Sequence, residues 1–229
     1  ADMRPFVAEG TIIVPLLNGI SATPTLREAF PQAKVLFGIA MGIDARRTVN
    51  AVDFTTRGVL QFGWERNREP YAPEVQLVWD ILSKTPIPLE VGADMERTCW
   101  KKWMLNVGYN QVTAAVDCFI YECTEVPAYF ALTSAAMQEV VELAKARGVD
   151  LTEADREETE RFMAAFPRTA QTSMHQDIKA GRITEVDYFA GIVEEYGRAA
   201  GVPTPVNAIL RQIVHGKEQQ NRLHATAAQ

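Results

Sequence analysis

"CWKKWMLNVGYNQVTAA", residues 99–115, reads as one long helix that belongs in the interior of a domain. Within it Lys102, Asn106 and Asn110 stand at i, i+4 and i+8, which sets them on one helical face, a turn apart. The plain reading has Lys101 and Lys102 solvated beside the apolar face made by Trp100, Trp103 and Leu105. Asparagine is a poor helix former, however, because its amide competes with the backbone for hydrogen bonds. Two of them one turn apart behind a lysine ask for a purpose, and lining a polar cleft between domains supplies one. There an ammonium can give a proton or a strong hydrogen bond to a carbonyl oxygen, and amides can hold hydroxyl or carboxylate groups.

Everything downstream of this stretch also has helical character. The expected helices are 125–148, stopped by Gly148; 151–166, opened by Thr152 with Asp155 as a capping-box variant; a short one at 172–181; 184–201, with Thr184 as N-cap and Asp187 at N3; and one opened by Thr204 and Pro205. The last ten residues are expected to fray. Upstream the pattern is different. "GTIIVPLLNGI" (10–20), "KVLFGIAMGIDA" (34–45) and "GVLQFGW" (58–64) read as strands, the first suited to a parallel sheet. A helix is expected at 73–85 and a short extended exit at 87–93. The coarse architecture is thus a small sheet followed by a helical bundle, divided near residue 93.

Bulk properties narrow the function. The 229 residues, 47% hydrophobic, suffice for one large or two small cores. A net charge of -6 gives no basic footprint for nucleic acid. No apolar run approaches the ~18 residues of a membrane-spanning helix, and no signal peptide opens the sequence, so a membrane partner is not expected. Three cysteines, Cys99, Cys118 and Cys123, form an odd set that suits reduced, buried thiols in a cytoplasm. They lack the paired CxxC spacing of a zinc site, and no metal is expected.

Three further residues are candidates. Asn18 ends the first expected strand. Asn-Gly is a strong turn dipeptide, but in open parallel sheets ligands bind beyond the carboxyl ends of strands. Glu185 follows the cap Thr184. A carboxylate there complements the helix dipole at about 0.3–1 kcal/mol, which could be its whole purpose. Ser173 has nothing special in isolation. His175, His215 and His224 make no ligand spacing with one another or with the cysteines and receive no role.

Taken together, "WKKWMLNVGYNQVTA", "TSMHQDIKAGRITEVDYFAG" and "GVPTPVN", in that order, resemble the C-terminal domain of the ketopantoate reductase (2-dehydropantoate 2-reductase) family. "VPLLNG" is similar to the same family's motif at the edge of its nucleotide-binding domain. The likeness spans residues 1 to about 215. It implies an α/β, partial Rossmann-type sheet (1–92) followed by an all-α domain of the 6-phosphogluconate-dehydrogenase-like type (93–229), with the active site in the cleft between them. It implies NADPH-dependent reduction of ketopantoate to pantoate in pantothenate biosynthesis, or of another small 2-keto acid, and it is compatible with a homodimer. By the same resemblance Lys102 polarises and protonates the keto oxygen and Glu185 is a catalytic, substrate-binding glutamate. Asn106, Asn110 and Ser173 are substrate-side groups, and Asn18 lies at the junction of cofactor and substrate. The family's GxGxxG and its basic residues for the 2′-phosphate have no counterpart in these 229 residues. The expectation is therefore either part of a longer, cofactor-binding protein, or a whole chain that is a non-catalytic helical binding or dimerisation module.

Overall fold

The computed structural model describes residues 3–47 and 49–227, and the chain divides into two compact units, 1–99 and 100–229. The first unit opens with a short 3₁₀ turn at Arg4–Phe6. It then builds a parallel pair, β1 (Ile12–Ile13) and β2 (Lys34–Val35), joined by α1 (Ala22–Ala29). Pro24 argues against a helix at this place in the sequence. It sits in the first turn of α1, where no backbone N–H is required of it. Ile13, Phe30 and Val35 are buried together under this β-α-β turn.

The parallel pairing expected of the 10–20 run is met by β1, and the rest of the first unit adds an antiparallel pair. β3 (Phe37–Arg47) and β4 (Val52–Gly63) are antiparallel, Phe37 facing Gly63 and Arg47 facing Val52. The strands end and begin too close in sequence for the crossover of a dozen or more residues that parallel neighbours need. β5 (Leu89–Val91) then adds parallel to β4, so the sheet is mixed, in the order β3-β4-β5. α2 (Pro73–Leu82) starts on its proline. Its Val75 is buried with Leu36, Leu60 and Phe62.

The second unit is helical throughout. The stretch expected as one helix is three segments: α3 (Met95–Leu105), a π-helical turn (Asn106–Asn110) and α4 (Gln111–Val116). α4 ends at Asp117, whose φ of 56° turns the chain into a left-handed conformation. Then come α5 (Glu122–Glu125), α6 (Pro127–Arg147), α7 (Glu153–Ala164), α8 (Ser173–Lys179), a second π-helical turn (Asp187–Gly191), α9 (Ile192–Ala200) and α10 (Pro205–Ala227). Gly148 and Gly201 end α6 and α9 at φ 75° and 68°. The capping box of α7 forms, Thr152 N–H and Oγ1–H both donating to Asp155 Oδ2 at 3.0 Å. The end expected to fray is helical to Ala227, and residues 228 and 229 lie outside the described residues.

The core of this unit is made by Trp103, Met104, Val107 and Val112, by Met137, Val140 and Leu143 of α6, and by Met174, Phe189, Leu210 and Val214. Cys118 and Cys123 are buried thiols 3.5 Å apart. A polar network ties α10 in place. Glu139 of α6 accepts the N–H groups of Val206 (2.8 Å) and Asn207 (3.0 Å), which sit in the first turn of α10, and the Asn207 amide at 2.7 Å. Asn207 in turn accepts from Gln111 Nε2 at 2.8 Å. A carboxylate from another helix thus supplies the acceptors that the first turn of α10 lacks. Among the described residues no helix is long and apolar enough to cross a membrane.

Candidate active site

The polar stripe begins with two lysines that differ in what they do. Lys101 Nζ lies 2.7 Å from exposed Glu158 and 3.3 Å from buried Asp155, both on α7, so its charge is paired with that helix. Lys102 is the next residue, about 100° further round the helix, half-buried and one turn before Asn106. Asn106 and Asn110 are both buried, 6% exposed, and bound the π-helical turn. π-helical turns inside α-helices cluster at functional sites. Here the widened turn is supported by side chains. Gln111 Nε2 donates to Val107 O at 2.6 Å, and Thr113 Oγ1 donates to Tyr109 O at 2.8 Å. It is also wedged against α6. A Cβ on Gly108 would stand 2.5 Å from Met137 Cγ, so only glycine admits this approach.

Two of the expected site residues are brought together: Asn110 Nδ2 donates to Ser173 Oγ at 3.3 Å across 63 positions of sequence. The contact is held by the residues beside it. Thr172, the N-cap of α8, accepts the His175 N–H at 3.2 Å, and its hydroxyl lies 2.6 Å from that of buried Thr113. Beyond the cap, His175 Nε2 lies 2.7 Å from Asp117. Its hydrogen bond to Asp117 holds that carboxyl below the ordinary carboxylate value, against a smaller upward push from burial. Ser173 itself is exposed. Asn106 Nδ2, in contrast, is buried and has no hydrogen-bond partner. A buried donor left unsatisfied costs about 1–3 kcal/mol, a debt that an acceptor on a bound molecule removes.

Glu185, half-buried, stands at the head of the second π-helical turn, its carbonyl accepting from Tyr188 N–H at 2.9 Å and Phe189 N–H at 3.2 Å. This turn docks on α3 beside Lys102, where Trp103 Nε1 donates to Tyr188 O at 3.2 Å. Asp187, expected at N3 behind the cap Thr184, does not bond back to it. Thr184 N–H and Oγ1–H both donate to Glu218 of α10, at 2.8 and 2.7 Å, and Asp187 turns to Arg211 and His215. A carboxylate from a distant helix accepts from Thr184 instead, which no local sequence signal reveals. Asn18 belongs to the first unit, in the turn between β1 and α1.

Several residues of this region carried no signal in the sequence. Thr113, Asn207 and Glu139 do their work through long-range contacts. The spacing of Arg211, His215 and Glu218 on one face of α10, i, i+4 and i+7, was readable but had no partner to explain it.

Two family profiles cover most of the chain: "Ketopantoate reductase PanE/ApbA" matches residues 1–66, and "Ketopantoate reductase PanE/ApbA C terminal" matches residues 94–218. The chain belongs to the ketopantoate reductase family. The family is one of oxidoreductases. A 2-dehydropantoate 2-reductase of Streptococcus pyogenes is 26% identical over 221 residues, covering 95% of this chain and 70% of the relative. Among solved structures, the 2-dehydropantoate 2-reductase of Methylococcus capsulatus aligns with TM-score 0.83 at 24% identity, over 96% of this chain and 69% of that one. D-mandelate dehydrogenase, solved with NADH and anilino(oxo)acetate, aligns with TM-score 0.83 at 21% identity, over 95% and 71%. These likenesses give the fold: a Rossmann-like sheet followed by the helical domain of the 6-phosphogluconate-dehydrogenase type.

The turn from β1 into α1, Val14–Ser21, is the strand-to-helix connection of the parallel pair, and it contains "VPLLNGIS" rather than a glycine-rich cradle. This turn is therefore not a pyrophosphate cradle.

Proposed function

We propose that the protein reduces a small 2-keto acid, ketopantoate foremost, with NADPH as hydride donor. The observation that carries this reading is the buried, unpartnered Nδ2 of Asn106 in a π-helical turn between half-buried Lys102 and the Asn110–Ser173 pair. Reducing a ketone adds a hydride to the carbonyl carbon and a proton to its oxygen. In this reading the contribution of the chain's residues is the proton and the orientation. Lys102 polarises the keto oxygen through its ammonium and transfers the proton as negative charge develops there. Asn106, Asn110 and Ser173 hold the polar groups of the acid, and Glu185 binds it from just before the second π-helical turn. Asn18 is the amide assigned to the cofactor.

The test is NADPH oxidation with ketopantoate by the full-length protein, wild type against Lys102→Ala and Asn106→Ala. Loss of turnover in the first and a raised KM in the second support the assignment. Turnover unchanged by Lys102→Ala removes that residue from the chemistry. A second reading, a different 2-keto acid, draws support from the fold shared with D-mandelate dehydrogenase. A panel setting ketopantoate against an aryl 2-keto acid separates the two by their kcat/KM ratio.

A further inference from the structure

Glu185 is a single carboxylate at the head of a helical turn, and its backbone is held from outside that turn. Its predecessor Thr184 gives both N–H and Oγ1–H to Glu218 Oε1, at 2.8 and 2.7 Å. Its successor Val186 gives its N–H to Thr184 Oγ1 at 3.3 Å. Two residues on, Asp187 Oδ1 accepts from Arg211 Nε at 2.8 Å and lies 3.0 Å from His215 Nε2. His215 completes the link, because its Nδ1 is 3.0 Å from the second oxygen of Glu218. Arg211 also reaches Glu194 of α9 at 3.3 Å. Three side chains on one face of α10 thus hold the residues on either side of Glu185. Glu218 is 4% exposed, so its carboxylate is paired in the interior rather than on the surface.

Resting on the reading of Glu185 as a substrate group, we propose that Arg211, His215 and Glu218 are positioning residues. They fix the Glu185 turn in its working conformation, and the charge on His215 couples that turn to pH. The coupling follows from donor count. A protonated imidazole donates from both nitrogens and satisfies Glu218 and Asp187 at once, whereas a neutral one has a single N–H and leaves one carboxylate without it. The groups facing His215 are Asp187 on the π-helical turn and Glu218 on α10, with Arg211 sharing Asp187. Burial works against the cation, but the two carboxylates outweigh it and raise His215 above its ordinary value of 6.5. Burial likewise works against Glu218 and Asp187 as anions, and their hydrogen bonds hold both below their ordinary values of 4.5 and 3.8.

The sign follows. A raised histidine stabilises below its unfolded value and loses that contribution as pH climbs through the folded one. The depressed carboxylates contribute above their unfolded values and lose it as pH falls through the folded ones. The ladder is therefore tightest between pH 4.5 and 6.5 and loosens as His215 deprotonates above that.

The experiment has two arms. In ¹H–¹⁵N spectra of the wild-type protein the Thr184 and Glu185 amides titrate together with the His215 ring, at a midpoint above 6.5. In His215→Asn that inflection is absent. Amides with no inflection at the His215 midpoint, or with one that survives His215→Asn, overturn the coupling. In the second arm, keto-acid kinetics with NADPH are compared for Glu185→Gln, Glu218→Ala and Glu218→Gln. Glu218→Ala raises KM roughly tenfold, a loss of one decade in affinity. Glu218→Gln keeps an acceptor for Thr184, so it restores much of KM while flattening its pH dependence. A Glu185→Gln enzyme with unchanged kinetics overturns the assignment of Glu185 itself. A damaging Glu185→Gln beside silent Glu218 variants that melt as the wild type does overturns only the positioning.

Discussion

Replacing Lys101 and Lys102 one at a time by alanine separates two roles that the sequence "KK" superimposes. Lys101 Nζ sits 3.3 Å from Asp155, which is 3% exposed, and 2.7 Å from Glu158 on the surface of α7. The Glu158 contact is solvated and adds little. The Asp155 contact is partly buried, but Asp155 keeps its two bonds from Thr152 when the lysine is removed. The loss then falls between that of an exposed pair and that of a fully buried one, at about 1–2 kcal/mol. For a chain of this size that lowers Tm by about 2–8 °C. Turnover measured below the transition stays near the wild-type rate, because Lys101 has its partners within the fold. Lys102→Ala acts on the barrier instead. Losing a positioned proton donor reduces turnover about 10²–10⁴-fold, or roughly 3–5 kcal/mol. Differential scanning calorimetry and NADPH oxidation with ketopantoate are run on both variants. The reasoning is refuted if Lys101→Ala melts normally yet loses turnover, or if Lys102→Ala retains full turnover.

Other substitutions probe the scaffold around the stripe. Glu139→Ala removes the acceptor of three N–H donors at the start of α10 and costs about 3–5 kcal/mol in urea unfolding, and a loss under about 1 kcal/mol contradicts the cap. Gly108→Ala gains about 1 kcal/mol of helix propensity but drives a methyl to 2.5 Å from Met137 Cγ, for a net loss of about 1–2 kcal/mol. Met137→Ala in the same chain relieves the clash, so additive losses in the double mutant refute it. Ser173→Ala raises KM about tenfold with kcat nearly unchanged, because an exposed hydroxyl bonded to Asn110 binds rather than reacts; an equal fall in kcat contradicts this. Thr172→Val, beside it, strips the cap of α8 and leaves the Thr113 hydroxyl short of its partner, lowering stability by about 1–2 kcal/mol, and an unchanged melt argues against that pairing.

The sequence by itself determined what depends on near neighbours. Prolines at the first turns of α2, α6 and α10, the Thr152–Asp155 box and the stops at Gly148 and Gly201 are local devices, and each stands where its residues lie. The face shared by Lys102, Asn106 and Asn110 and the succession of a strand-rich and a helix-rich half were legible for the same reason, since periodicities of 3.6 and 2 are short-range. Tertiary structure decided the rest. It widened the helix at Asn106–Asn110 and opened the turn at Asp187–Gly191 into π-helix. It paired β3 with β4 antiparallel, a direction that the runs at 34–45 and 58–64 did not indicate. It gave Lys101 to α7 and set Ser173 against Asn110, 63 positions away. It also gave the N–H and hydroxyl of Thr184 to Glu218 of α10, 34 positions on. A hydrogen bond between distant residues leaves no periodic trace in the chain. Its partners become neighbours only when the apolar faces of their helices are buried together, and that packing is a property of the whole core rather than of any one segment.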